Sequence, residues 1–60
     1  MTPRQHQVAQ LIARGLLNKA IARELGISYG TARIHVSAVL RELGVKNRTE
    51  AAVIIAGRHE

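Results

Sequence analysis

The chain has 60 residues, with nine Lys and Arg against four acidic residues and a formal net charge of +5, and its pI is near 11.3. A fold of this length buries only about 60% of its unfolded surface, so one small core is all it can build; with no cysteine and 2% aromatic residues, that core must be aliphatic and has no disulfide or thiolate metal site to support it. No apolar run approaches the roughly 18 residues of a membrane span and no signal-peptide pattern opens the chain, so a soluble, cytoplasmic domain without a membrane partner is expected.

The first element opens on Thr2-Pro3-Arg4-Gln5. Threonine can cap, proline suits the first helical position and Gln5 can reach back to the cap amide, which together make a capping box. Val8, Leu11 and Ile12 then recur at helical spacing until Gly15, giving a helix over 3–14. Leu16 and Leu17 are expected to fold down as a hydrophobic corner. Asn18 is a good cap for a second helix reaching Leu25, with Ile21, Ala22 and Leu25 inward and Lys19 and Arg23 elsewhere. A helix of about eight residues does not persist alone in water, so packing must hold it.

Glu24 to Val36 then holds two breaks and the start of a long periodic run. Gly26 sits where a helix can end in a left-handed residue without a side-chain clash. Ser28 precedes Thr31 by one turn, where its hydroxyl can accept from an unpaired amide of the next helix. The third helix is expected from Tyr29 to Leu43, ending at Gly44. At about 100° per residue, Ala32, Val36, Val39, Leu40 and Leu43 share one arc, a core face. Gly30, Arg33, Ile34, Ser37 and Arg41 share the opposite arc, which carries two arginines and no acid. A merely solvated face usually mixes signs, so this one reads as a basic stripe.

Val45 precedes Asn47-Arg48-Thr49-Glu50, a second capping box, this time built on asparagine. The helix it opens, about 48–56, carries six consecutive apolar residues from Ala51 to Ala56, which surround it on nearly every side. If Ala51, Ala52 and Ile55 face the core, Val53 and Ile54 cannot do so fully. A helix apolar all round in so small a domain is either buried or shared with a partner, and sharing is favoured here. Gly57 to Glu60 reads as a frayed tail. The positive balance favours a polyanionic partner. A membrane-surface helix would need bulky anchors on a face free of the core, and none is visible.

Thr2-Pro3-Arg4, Gly15-Leu16, Asn18-Lys19, Ile21-Ala22, Leu25-Gly26-Ile27-Ser28, Gly30-Thr31, His35-Val36, Leu40, Leu43-Gly44-Val45 and Asn47-Arg48-Thr49-Glu50-Ala51 occur in order along nearly the whole chain. In these residues the sequence resembles the LuxR-type, or NarL/FixJ-type, helix-turn-helix domain. The resemblance implies an all-α, compact four-helix DNA-binding domain of residues 1–60, with its second and third helices as the helix-turn-helix and its fourth for dimerisation. It implies the C-terminal output domain of a longer bacterial transcriptional regulator, a homodimer on (pseudo)palindromic double-stranded DNA. The chain departs from the pattern at Gln5, Gln7 and Ala20, where acids are frequent, at Leu17, where serine is frequent, and at Ala32, where valine is usual. The first three raise the positive charge, Leu17 moves the expected cap to Asn18, and Ala32 thins the core below the third helix.

Placed in a major groove, the polar arc assigns roles. Arg33 stands where the family commonly has lysine, and can bond guanine at two points or meet a phosphate. Ile34 can touch a thymine methyl or merely shield the helix. Ser37 can touch base or phosphate, and Arg41 the backbone. Thr31 can give hydroxyl and amide to a phosphate, with capping as the competing role. Asn18, Lys19, Lys46, Asn47 and Arg48 are expected to grip phosphates, or else to cap and be solvated, while Val53 and Ile54 dimerise.

His6, His35 and His59 lie on separate elements without ligand spacing, so no metal site and no cofactor are expected. Nor is there a nucleophile with a base, a phosphate loop or a carboxylate pair, and an enzyme is not expected. Two rivals differ in kind. A sigma-factor region-4-like promoter reader has a similar helix-turn-helix but normally lacks the final capped helix. A protein-interaction module without DNA binding would have little use for an acid-free outward arc.

Overall fold

Helix-breaking glycines and hydroxyl or amide caps divide the chain into α1 (Pro3–Ala13), α2 (Asn18–Leu25), α3 (Tyr29–Leu43) and α4 (Arg48–Gly57). These come from a computed structural model that describes residues 1–57, among which there is no strand. The first capping box forms in full: the Gln5 amide donates to Thr2 Oγ1 at 3.1 Å and the Thr2 amide to Gln5 Oε1 at 2.8 Å. At α3, Ser28 Oγ accepts from the Thr31 amide at 3.0 Å. At α4, Asn47 Oδ1 accepts from the Glu50 amide at 2.9 Å, and the Glu50 carboxylate meets the amide of Lys46, one residue before the cap.

The corner between α2 and α3 closes as the sequence requires. Gly26 takes φ 66°, ψ 35°, and the Ile27 amide donates back to the Ala22 carbonyl at 3.0 Å. A side chain at this φ would crowd the following carbonyl, so glycine removes a strain that other residues would carry. The same backward bond follows α1, from Leu16 to Leu11, and α3, from Val45 to Leu40. In each case the residue after the glycine, Leu16, Ile27 or Val45, packs against the core. One local device therefore both stops three helices and tucks the outgoing chain inward.

Two expectations around α2 are corrected. Leu17, not Asn18, occupies the cap position, in an extended conformation and with no side-chain capping bond. The Ile21 amide already donates to the Leu17 carbonyl at 2.9 Å, so Asn18 is the first helical residue and its side chain is turned to other use. Nor do Leu16 and Leu17 fold down together: Leu16 packs on the core while Leu17 is 66% exposed. At the ends, α1 stops one residue earlier and α4 continues one residue later than expected. Gly57 is helical, and the rest of the expected tail lies outside the described residues.

The core is aliphatic throughout. Val8, Ala9, Leu11 and Ile12 of α1 meet Ile21 and Ala22 of α2, Ala32, Val36 and Val39 of α3, and Ala51 and Ile55 of α4. Leu25, Leu40, Leu43 and Ala52 pack around them. Helix α1 packs on both α3 and α4, and α2 packs mainly on α3. Full burial of a residue such as Ile21 contributes about 1.5–3 kcal/mol, which is what holds so short a helix in place. With 15 residues, α3 is about 22 Å long at 1.5 Å per residue. Its inner face is pinned at Ala32, Val36 and Val39, and that fixes which face turns outward.

Candidate nucleic-acid interface

Rotation of α3 is set by its three buried positions, and its opposite flank is open. Arg33, Ile34, Ser37 and Arg41 line one shallow depression there, together with Gly30 and Ala38. Ile34 is 68% exposed. That is unfavourable for an aliphatic side chain unless something covers it, although single exposed apolar residues are common. Among the described residues no acid lines the depression. Four of the expected site residues are thus brought together on one rigid element, with two guanidiniums, a hydroxyl and one apolar contact.

A further residue, outside that lining, belongs beside them and was not singled out by the sequence. Tyr29, at the first position of α3, is 52% exposed, and the Arg33 guanidinium carbon lies 6.0 Å from the centre of its ring. The two are one helical turn apart, where side chains of a helix meet. An aromatic residue one turn before an arginine was the available signal.

Tyr29 itself borders a second depression, with Leu17, Asn18, Lys19 and Arg48. Arg48 crosses from the start of α4: it donates through one terminal nitrogen to Asn18 Oδ1 at 2.8 Å and through the other to the Leu16 carbonyl. Asn18 therefore does not cap α2; its oxygen receives Arg48, and its Nδ2 is left as the group able to donate to an anion. The Lys19 side chain is exposed at the uncapped amino end of α2, where the helix dipole and free amides favour negative charge.

Three of the expected DNA contacts line neither depression. The Thr31 amide donates to Ser28 Oγ, the capping role that competes with a phosphate contact. The Ser28 and Thr31 hydroxyl oxygens are 2.8 Å apart, so Ser28 donates to Thr31 Oγ1 and the Thr31 hydroxyl proton is left for another acceptor. Asn47 is held by Glu50 through both ends of its amide, the second at 3.5 Å. Lys46 is exposed beside it. On α4, Val53 is 69% exposed and Ile54 half-buried, whereas Ala51 and Ile55 are buried, so the apolar run divides between core and surface.

Among the described residues no three His, Cys, Asp or Glu are grouped to hold a metal ion, and no helix is long and apolar enough to cross a membrane.

The model of the luxR family of bacterial regulatory proteins matches residues 1–55. The chain is 47% identical over 53 residues to the nitrate/nitrite response regulator protein NarL of Escherichia coli strain K12, covering 88% of the chain and 24% of NarL. It is 45% identical over 56 residues to the two-component response regulator PprB of Pseudomonas aeruginosa, covering 93% and 20%. To the transcriptional regulatory protein DesR of Bacillus subtilis it is 47% identical over 51 residues, covering 85% and 26%. The chain thus spans about a quarter or less of the length of these curated relatives.

Proposed function

The chain belongs to the luxR family of bacterial regulatory proteins, a family whose domain is the DNA-binding output of a transcriptional regulator, and on that premise we propose how its own residues read DNA. The observation that carries the proposal is the acid-free flank of α3 bearing Arg33, Ile34, Ser37 and Arg41. A major groove of B-form DNA admits a helix and presents a distinct donor and acceptor pattern for each base pair. With α3 lying in it, Arg33 forks onto the O6 and N7 of a guanine, Ile34 meets a thymine methyl and Ser37 touches an adjacent edge.

Arg41, farther along, meets the backbone. Phosphates on the other side are held by Lys19, the Asn18 Nδ2, the Thr31 hydroxyl and Lys46, contacts that set register without reading sequence. Asn47 keeps to its cap, and Arg48 serves by clasping α4 to the start of α2. Val53 and Ile54 form the contact between two copies, so that paired α3 helices read a (pseudo)palindromic site. The domain forms the C-terminal output of a longer cytoplasmic regulator and catalyses no reaction.

The test is a gel shift on genomic fragments at two salt concentrations. Specific, salt-sensitive complexes are expected, with a log–log slope of about 0.9 per phosphate contact. Binding that ignores salt, or none at low ionic strength, overturns the proposal.

A further inference from the structure

We propose that Tyr29 is a positioning residue for sequence readout: its ring holds the Arg33 guanidinium at one place along the groove, so that the arginine meets a single base pair rather than sampling several. The inference rests on the docking of α3 proposed above and adds to it a residue that takes no part in reading bases itself. It stands on three observations. The guanidinium carbon of Arg33 lies 6.0 Å from the Tyr29 ring centre, at the outer limit of the range where the negative face of an aromatic ring attracts a cation. Tyr29 is 52% exposed and takes no core position, so burial does not explain its presence. Tyr29 borders the depression with Asn18, Lys19 and Arg48, and Arg33 borders the depression with Ile34, Ser37 and Arg41. The pair therefore joins the two surfaces assigned to backbone and to bases.

The physical reason is entropic as well as electrostatic. A free arginine side chain samples many rotamers, and immobilising it on a base opposes binding. An arginine already drawn against a ring on its own helix loses less of that freedom on docking. The restriction also penalises neighbouring base pairs, which the unrestrained side chain would reach equally well. Since both residues sit in the first turns of α3, whose inner face is fixed by Ala32 and Val36, the ring itself has a defined place from which to act.

The test uses the wild-type chain with Tyr29→Phe, Tyr29→Leu, Arg33→Ala and the Tyr29→Leu/Arg33→Ala pair. Leucine is a better helix former than tyrosine, so α3 is retained. Without DNA, the Arg33 side-chain proton resonances are recorded by NMR. They are expected upfield, from the ring current, in wild type and Tyr29→Phe and to lose that shift in Tyr29→Leu; identical shifts in all three overturn the proposal. With DNA, binding is compared between a duplex selected by the chain from a random pool and the same duplex with one guanine replaced. Tyr29→Leu is expected to lose about two- to fivefold in discrimination, the size of an exposed cation–π contact, while Tyr29→Phe retains it and the double variant matches Arg33→Ala. A loss in Tyr29→Phe, or one that persists without Arg33, assigns Tyr29 a contact of its own and overturns the proposal. If wild type itself fails to discriminate between duplexes, the groove docking fails and the readout role of Tyr29 with it, whatever the free-chain resonances show.

Discussion

Arg48 and Asn18 are thirty residues apart in sequence and 2.8 Å apart in the fold, the guanidinium of the first residue of α4 donating to the side-chain oxygen of the first residue of α2. With the second bond to the Leu16 carbonyl, a half-buried guanidinium fastens the fourth helix to the entrance of the helix-turn-helix. Arg48→Ala removes both bonds and leaves the Leu16 carbonyl and Asn18 oxygen to find water, which is expected to cost about 1–3 kcal/mol. Arg48→Lys recovers little, because the ammonium gathers its donors on one nitrogen and cannot set two of them as far apart as the ends of a guanidinium fork. Urea titration of the free chain checks this; unchanged stability with a uniform loss of DNA affinity would instead make Arg48 a phosphate ligand.

Gly26→Ala separates backbone strain from packing. A Cβ built at Gly26 meets nothing of the rest of the fold within 4 Å, so no packing clash arises. The φ of 66° remains, and an alanine held there is expected to cost about 1–2 kcal/mol. Asparagine, which tolerates the left-handed region, recovers part of the loss. A neutral Gly26→Ala in thermal unfolding would mean that the corner relaxes to another conformation.

Arg33→Ala is expected to lower discrimination between the preferred duplex and its single-guanine variants by about 1–3 kcal/mol, the worth of a bidentate contact to a base. Quantitative competition binding measures it. An equal loss on every sequence would move Arg33 to the backbone. Lys19→Ala is expected to behave in that second way: weaker binding across sequences, with the salt slope reduced by about one contact.

Val53→Asp places a charge on a surface that is 69% exposed in the single copy, so the fold is expected to survive it. Cooperative binding to a two-half-site duplex should fall while binding to one half-site is kept. Sedimentation of the complexes distinguishes these, and undiminished dimers on DNA would remove α4 from the contact between copies. Ile54→Asp, at a half-buried position, is expected to weaken pairing as well and to test the same face one residue on.

Much of this fold is legible in the residues because its signals are local. Gly26 and Gly44 stop helices through their own φ, Thr2, Ser28 and Asn47 cap within one turn, and the inner face of α3 follows from spacing alone. What the sequence did not disclose depends on distant partners or on competition between good choices. Asn18 has the chemistry of a cap, yet the chain already turns helical at Asn18 with Leu17 in the cap position, and Arg48 from the far end of the chain claims its oxygen. No pattern near residue 18 announces residue 48. The outward flank of α3 was visible as an acid-free arc, whereas the contact of Tyr29 with Arg33 needed attention to the pair rather than to each residue's charge or bulk.

Guanine N7 lies in the major groove, which makes methylation interference the most direct test of whether α3 reads DNA from that side. Duplexes selected from a random pool are partially methylated at N7, bound by the chain, and the bound and free fractions compared. Methylation of a defined guanine is expected to block wild type and to have lost that effect in Arg33→Ala. Binding indifferent to N7 methylation at every guanine of the selected sites would contradict a major-groove reading by this helix.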